Sequence, residues 1–462
     1  MNWYRPVLFV SLLRVTGHVA AQHGSLTPTF LQELQKCEKL SSSERVIRNT
    51  LQSTDISTLA INAENQIQKD FYFSHEVPSK GITDQKSSGR CWLFSGLNVL
   101  RSQATREHQL SSLTFSQVYL FFYDQLEKSN LFLQAVIDTR HEPMTNQTVD
   151  WLFRNPLSDG GTFCGVADLV MKYGLVPSGV MPEPYAANNT SRFTSLLKRK
   201  LREDALLLRQ AKGKNTEEMK ENMLKEIYHM LVLGFGQPPT SFTWAPKASD
   251  GKSLSKPKIY TPVEFYHMLF GSTDLTTDYI MLMNDPTRPY WETYEIAYDR
   301  HTYDGHNWCY LNVPMEEIKN VAIASIKDST MMYMSCDVSK ELDRARGLLD
   351  LHNYDYESVL GVKFNMNKHQ RILSFDSGST HAMALMAVDL DKDEKPTKWM
   401  VENSWGADNG YHGHLVMTDQ WLDEYLFRLV ISKRYANEKM LRAAAQRPHI
   451  LPCWDPMFQD ED

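Results

Sequence analysis

Apolar residues recur at helical spacing at Leu93, Phe94, Leu97 and Leu100, and the residue that opens this run is Cys91. The pattern predicts a buried helix with a thiol at its N-terminus. Phe115 to Leu126 carries an aromatic face of Phe115, Tyr119, Phe122 and Tyr123, which predicts a core helix packed on the first. The turn cluster Asn155 to Thr162 then feeds a helix, Val166 to Tyr173, that ends at Gly174. Between Arg192 and Met230, Leu, Lys, Arg and Glu repeat at helical spacing with a break near Gly213, the pattern of a helical pair outside the core. Gln237 to Pro262 is dense in Pro, Ser and Lys and predicts a loop or hairpin excursion. From Tyr279 onward the texture changes to short strands with turn signals such as Asn284-Asp285-Pro286 and Asp304-Gly305. Within that half, Thr380 to Val388 reads as a strand with His381 at its start, and Trp399 to Glu402 as a second that ends in Asn403-Ser404-Trp405-Gly406.

Upstream of the thiol, about Leu26 to Val77 reads as a polar helical leader, connected to the thiol loop by residues 78–81. The first residues have the layout of an export signal: Arg5, an apolar core from Val7 to Leu13, and Val19-Ala20-Ala21 as a small-residue cleavage site. That core is too short to be a permanent membrane anchor. The expected location is therefore exported, periplasmic or secreted, with no membrane association after signal removal. An irregular cytosolic N-terminus, and a cytoplasmic protein, is the alternative.

A chain of 462 residues with 42% hydrophobic and 11% aromatic content has enough apolar material for a substantial core, which excludes global disorder. The formal charge of -7 gives no overall attraction to nucleic acid or anionic lipid. The basic cluster Lys198, Arg199, Lys200 and Arg202 reads as a solvated helix face. Six scattered cysteines are no disulfide framework, and no CxxC pair marks a structural zinc site. His301, His306 and Cys309 come nearest to a ligand cluster but sit in a loop-like segment, so no metal and no cofactor is expected.

The chemistry centres on Cys91. The unpaired N–H groups and the positive dipole end of a helix favour a thiolate, which makes the sulfur a usable nucleophile at neutral pH. Gly89 permits a tight turn before it, and a loop returning Gln85 beside the thiol supplies an oxyanion donor next to the backbone N–H of Cys91. Taken alone, Cys91 is better explained as a small buried core cysteine. Its partners lie downstream. If the two late strands pair antiparallel, His381 and Asn403 come side by side, and the Asn403 amide oxygen fixes the imidazole tautomer while Trp405 shields the bond. His412 and His414 compete for the base role but lack that neighbouring Asn-Ser-Trp-Gly turn. Asp159-Gly160-Gly161 offers small backbone along which an extended peptide would pair, or else a plain N-capping turn.

Gln85, Cys91, His381 and Asn403, in that chain order, resemble the papain superfamily of cysteine peptidases. The likeness is closer to the bleomycin hydrolase and aminopeptidase C branch, whose thiol loop, Thr-His-Ala-Met strand, Val-Glu-Asn-Ser-Trp-Gly strand and Leu-Pro-x-Trp-Asp-Pro-Met terminal segment all occur here between about Ile82 and Pro456. Ser88 stands where papain and the cathepsins carry a further cysteine. The resemblance implies an α+β, two-lobed fold, with a helical lobe and an antiparallel, barrel-like sheet lobe. The division expected is a signal over 1–21, a leader packed on the core over 22–80, a helical lobe with the thiol over 81–190 and a helical insertion over 191–262. A sheet lobe with His381 and Asn403 follows over 263–436, and a C-terminal arm over 437–462. It also implies a homo-hexamer, peptide substrates, and a C-terminal carboxylate, here that of Asp462, that holds the substrate's free amine. Nucleic-acid binding, reported within the family, is disfavoured by the acidic balance. The function expected is an aminopeptidase. The alternatives are an endopeptidase with the arm displaced, since Phe458 to Asp462 is more acidic than the family's ending, and a non-catalytic binding protein on the same scaffold.

Overall fold

The computed structural model describes residues 24–65, 70–211, 215–247 and 252–456. The expected export signal, the break at Gly213 and the terminal Asp462 lie outside the described residues. The chain divides into two compact units, Met1–Ile61 with Tyr356–Val362, and Asn62–Asp355 with Lys363–Asp462.

The described part of the smaller unit is helical, with Pro28–Cys37, Ser42–Leu51, Ile56–Leu59 and Tyr356–Leu360. Ser41 and Glu44 form a capping box at the second helix, and Asp55 caps the third. The helical leader expected to run to Val77 stops earlier. Between Leu59 and Val77 the described residues form no helix, and His75–Glu76 instead pairs antiparallel with Val388 and Ala387. Sheet pairing overrides the helical texture there, and the extended segment buries Phe73 and Val77.

In the larger unit the predicted helices form with shifted ends. Ser116 caps Gln117–Asp138, its hydroxyl accepting the Tyr119 N–H, so Phe115 stays outside as extended backbone bridged to Pro177. That helix continues past Leu126 because Phe132, Leu133, Val136 and Ile137 extend its buried face. The helical pair is Thr190–Gln210 and Thr216–Phe235, joined across by Lys200, which pairs with Asp204 and Glu226. Arg202 donates to the Phe153 carbonyl, so half of the basic cluster is used within the protein. Gln237 to Pro262 holds a short hairpin, Phe242–Trp244 against Lys258–Tyr260.

The second half supplies eleven strands of a mixed sheet of twelve among the described residues, His75–Glu76 being the twelfth. Its middle runs Leu426–Ser432, Met332–Cys336, His381–Leu390, Pro396–Glu402, His414–Thr418, each antiparallel to the next. The strand His381–Leu390 is buried at its first eight positions, and both the thiol helix Cys91–Glu107 and the helix Met315–Lys327 pack on it. A strand covered on both faces carries a continuous apolar run, which is why His-Ala-Met-Ala-Leu-Met-Ala-Val shows no alternation. The C-terminal arm enters as His449–Leu451, parallel to Thr293–Ile296.

Candidate active site

Cys91 is the first residue of the helix Cys91–Glu107 and is buried. No side chain caps this helix; the Arg90 carbonyl accepts the N–H groups of Leu93 and Phe94 instead. The loop before it is tied down from three sides. The Gly89 N–H donates to Asp159 Oδ2 at 2.9 Å, and a Cβ on Gly89 would lie 2.7 Å from the same carboxylate, so only glycine allows the approach. The buried Arg90 guanidinium donates to Glu183 at 2.8 Å and to Ser88 Oγ at 3.0 Å. Trp92 donates its indole N–H to the Asp159 carbonyl at 2.8 Å.

The sheet brings the second set of groups to this helix end. His381 opens its strand opposite Cys336, and the N–H of Ala382 donates to the Cys91 sulfur at 3.5 Å. The thiol thus abuts the first turn of backbone after the imidazole. His381 Nε2 donates to Asn403 Oδ1 at 2.8 Å, and the Ser404 N–H donates to that same oxygen at 2.8 Å, which fixes the amide's orientation. With Nε2 holding its proton on Asn403, Nδ1 is the nitrogen left for the thiol. Trp405 covers the pair, its ring 4.8 Å from the imidazole. Burial pushes the His381 pKa down to about 4, the Asn403 bond opposes this, and the charge of Arg344 adds to the lowering.

Gln85 lies in the same cluster. Its Oε1 accepts the Ser404 hydroxyl at 2.6 Å and its Nε2 donates to the Ser88 carbonyl at 2.7 Å. An amide nitrogen carries two hydrogens, so one remains for an oxygen bound over Cys91. The four residues singled out from the sequence are therefore brought together, with Trp405 over them.

Asp159-Gly160-Gly161 is placed differently in its parts. The Asp159 carboxylate is turned onto the thiol loop, accepting from Gly89 and from the Thr190 hydroxyl. Lys128 donates to the Ser158 and Gly160 carbonyls at 3.1 and 2.6 Å and pairs with the buried Asp124. Gly160 and Gly161 border a cavity of about 150 Å³ also lined by Trp151, Tyr298 and His301. The Ala297 N–H donates to the arm at Leu451, one residue before Tyr298. Beyond it Asp455 is ion-paired with Arg288. The loop group His301, His306 and Cys309 is dispersed: His301 bonds Asp124 at 2.5 Å, His306 bonds Asp168 at 2.8 Å, and Cys309 opens a strand opposite Glu295.

Periodicity did not point to the supports. Arg101 with Glu402 is a buried ion pair, and the buried Arg90 pairs with the part-exposed Glu183, in each case between residues far apart in sequence. Only the position of Glu402, beside Asn403, carried a hint.

Residues 25–458 match the peptidase C1-like family. The chain belongs to that family. Bleomycin hydrolase of Homo sapiens is 38% identical over 437 residues, 91% of this chain and 96% of that protein. Aminopeptidase C of Lactococcus lactis is 34% identical over 438 residues, 94% and 99% respectively. The crystal structure of PepW from Lactobacillus rhamnosis HN001 superposes with a TM-score of 0.89 at 32% identity, covering 95% of this chain and 100% of that one. Peptidase C1-like membership accounts for the papain-like α+β architecture and for cysteine peptidase chemistry.

Proposed function

We propose that this protein is a cysteine aminopeptidase of the bleomycin hydrolase and aminopeptidase C type, with Cys91, His381 and Asn403 as its catalytic residues. The observation that carries the reading is the meeting of Cys91 Sγ, at a helix N-terminus, with the first residues of the strand whose imidazole is held by Asn403. His381 Nδ1 takes the thiol proton and the sulfur attacks a peptide carbonyl. The carbonyl electron pair moves onto oxygen, which accepts from Gln85 Nε2 and the Cys91 N–H. The C–N bond breaks as the imidazolium returns its proton to the leaving amine. Water, activated by the same imidazole, then releases the acid from the thioester.

The arm supports action at a free amino terminus. It pairs with Thr293–Ile296, whose continuation at Tyr298 borders the cavity beside Gly160 and Gly161. We infer that the terminal carboxylate of Asp462 binds the substrate's ammonium group, and that Gly161 pairs with the peptide main chain, the Gly160 N–H and carbonyl being held by Ser158 and Lys128. Hydrolysis of free-amino peptides and failure on amino-blocked ones is the expected result, with internal cleavage gained when 458–462 is removed. Endopeptidase activity in the intact chain would displace this reading in favour of an arm held outside the cleft. Cys91→Ala removes both turnover and alkylation of the active thiol; undiminished hydrolysis by that variant would reject the mechanism.

The same reading extends to a homo-hexamer and to export. Phe30, Leu31 and Leu34 form an exposed apolar stripe on the helix Pro28–Cys37, a face suited to self-association. Light scattering of the purified chain decides the assembly, and amino-terminal sequencing of the secreted form decides cleavage after Ala21.

A further inference from the structure

We propose that Arg344 recognises a carboxylate on the leaving residue of the substrate, the α-carboxylate of a dipeptide or an acidic side chain at that position. This rests on the peptidase reading above and adds a specificity-determining residue to it.

The two flanks of Cys91 are distinct. Gly89 and Trp92 hold the Asp159-Gly160-Gly161 loop on one. His381, with Trp405 against its ring, stands on the other. The imidazole hands a proton to the leaving amine, so the leaving residue departs past Trp405. There the guanidinium of Arg344 sits 4.6 Å from the centre of the Trp405 ring, and its charge reaches the imidazole. A guanidinium over a ring face keeps its in-plane N–H groups for a carboxylate, which they match two at a time.

Arg344 is exposed and lies in the turn between Leu342–Asp343 and Leu348–Leu349, and that turn is held firmly. Arg346 occupies the Asp343 carboxylate at 2.6 Å, and the Gly347 N–H donates to the Asp343 carbonyl at 2.9 Å. Gly347 has φ +70° and a Cβ there would meet Gly410 at 2.7 Å, so the turn is seated on the loop that follows Trp405. The Val416 N–H closes onto the Gly347 carbonyl at 2.9 Å. Asp343 is thereby committed to Arg346, and Lys86, near the same tryptophan, is paired with Asp84. Among the described residues Arg344 forms no ion pair. A cation held on a rigid turn beside the leaving-group path, with Asp343 and Asp84 already engaged, is an arrangement for an anion brought by substrate.

The test compares kcat/KM on dipeptides X-Gly and their X-Gly amides, and on X-Glu amides and X-Gln amides, X being the residue whose neutral arylamide is cleaved fastest. The two pairs separate α-carboxylate from side-chain recognition. The wild type should prefer the carboxylate member of at least one pair by roughly two- to fivefold, the size of a part-exposed ion pair, and less at high salt. Arg344→Gln should abolish the preference, Arg344→Lys should keep part of it, and Arg344→Glu should turn it toward basic leaving residues. Equal preferences in the wild type and Arg344→Gln overturn the proposal while leaving the peptidase intact. Failure of the wild type on the arylamide as well removes the reading beneath it.

Discussion

Arg101 of the thiol helix and Glu402, the residue before Asn403, form an ion pair in which both side chains are almost wholly buried. Ser79 also donates its hydroxyl to this carboxylate. The pair bolts the element carrying the nucleophile to the strand carrying the orienting amide. Removing one member leaves an uncompensated charge in the core, so Glu402→Ala or Arg101→Met should each lower stability by about 3–5 kcal/mol. The double replacement Arg101→Met with Glu402→Met should recover much of that loss. Urea unfolding of the three variants checks the order, and equal losses in singles and double would contradict it.

Asn403→Ala removes the acceptor of the His381 Nε2–H and of the Ser404 N–H at once. The ring then loses its fixed tautomer and position. Turnover should fall by on the order of 10²-fold, with KM changed far less, because misplacement acts on the reacting geometry. Steady-state kinetics on a free-amino arylamide gives both numbers.

Gln85→Ala should lower turnover by on the order of 10²- to 10³-fold through loss of an oxyanion donor. The approach of the Ala382 N–H to the Cys91 sulfur does not run through Gln85, so alkylation of the thiol should persist in this variant. Loss of alkylation together with turnover would instead mean that Gln85 organises the loop, through Ser88 and Ser404.

Burial holds the His381 pKa at about 4, against an ordinary value of 6.5, so the imidazole stays uncharged well into acid. The acid limb of kcat/KM should therefore fall near pH 4. Stability follows with a definite sign. Between pH 6.5 and 4 the unfolded chain binds the proton and the folded one does not, so stability drops as pH falls through that window, by up to about 1.4 kcal/mol per unit. His381→Gln should flatten that part of the profile, as thermal melts from pH 4 to 7 would reveal.

Much of this architecture was legible before any coordinates. Helical spacing after Cys91 placed a thiol at a helix start, and the helix indeed begins there. The run from Thr380 to Val388 marked a strand with His381 at its start, and the strand begins at His381. The helical pair, a loop or hairpin excursion within 237–262 and the stop at Gly174 followed from local signals of spacing and turn chemistry, and the structure makes the excursion a hairpin. The leader was over-read, because a polar helical texture says nothing about whether His75 and Glu76 find a partner strand more than three hundred residues away.

What the sequence by itself determined is whatever depends on neighbours along the chain: the thiol at a helix end, the strand with its leading imidazole, the asparagine before a Trp-Gly turn. Tertiary structure alone decided which groups meet. It set the Ala382 N–H against the sulfur, turned the Asp159 carboxylate onto Gly89 rather than outward, and stacked Arg344 on Trp405. Periodicity reports which face of an element is buried, whereas a contact across hundreds of residues is fixed by sheet register and packing, which leave no local trace.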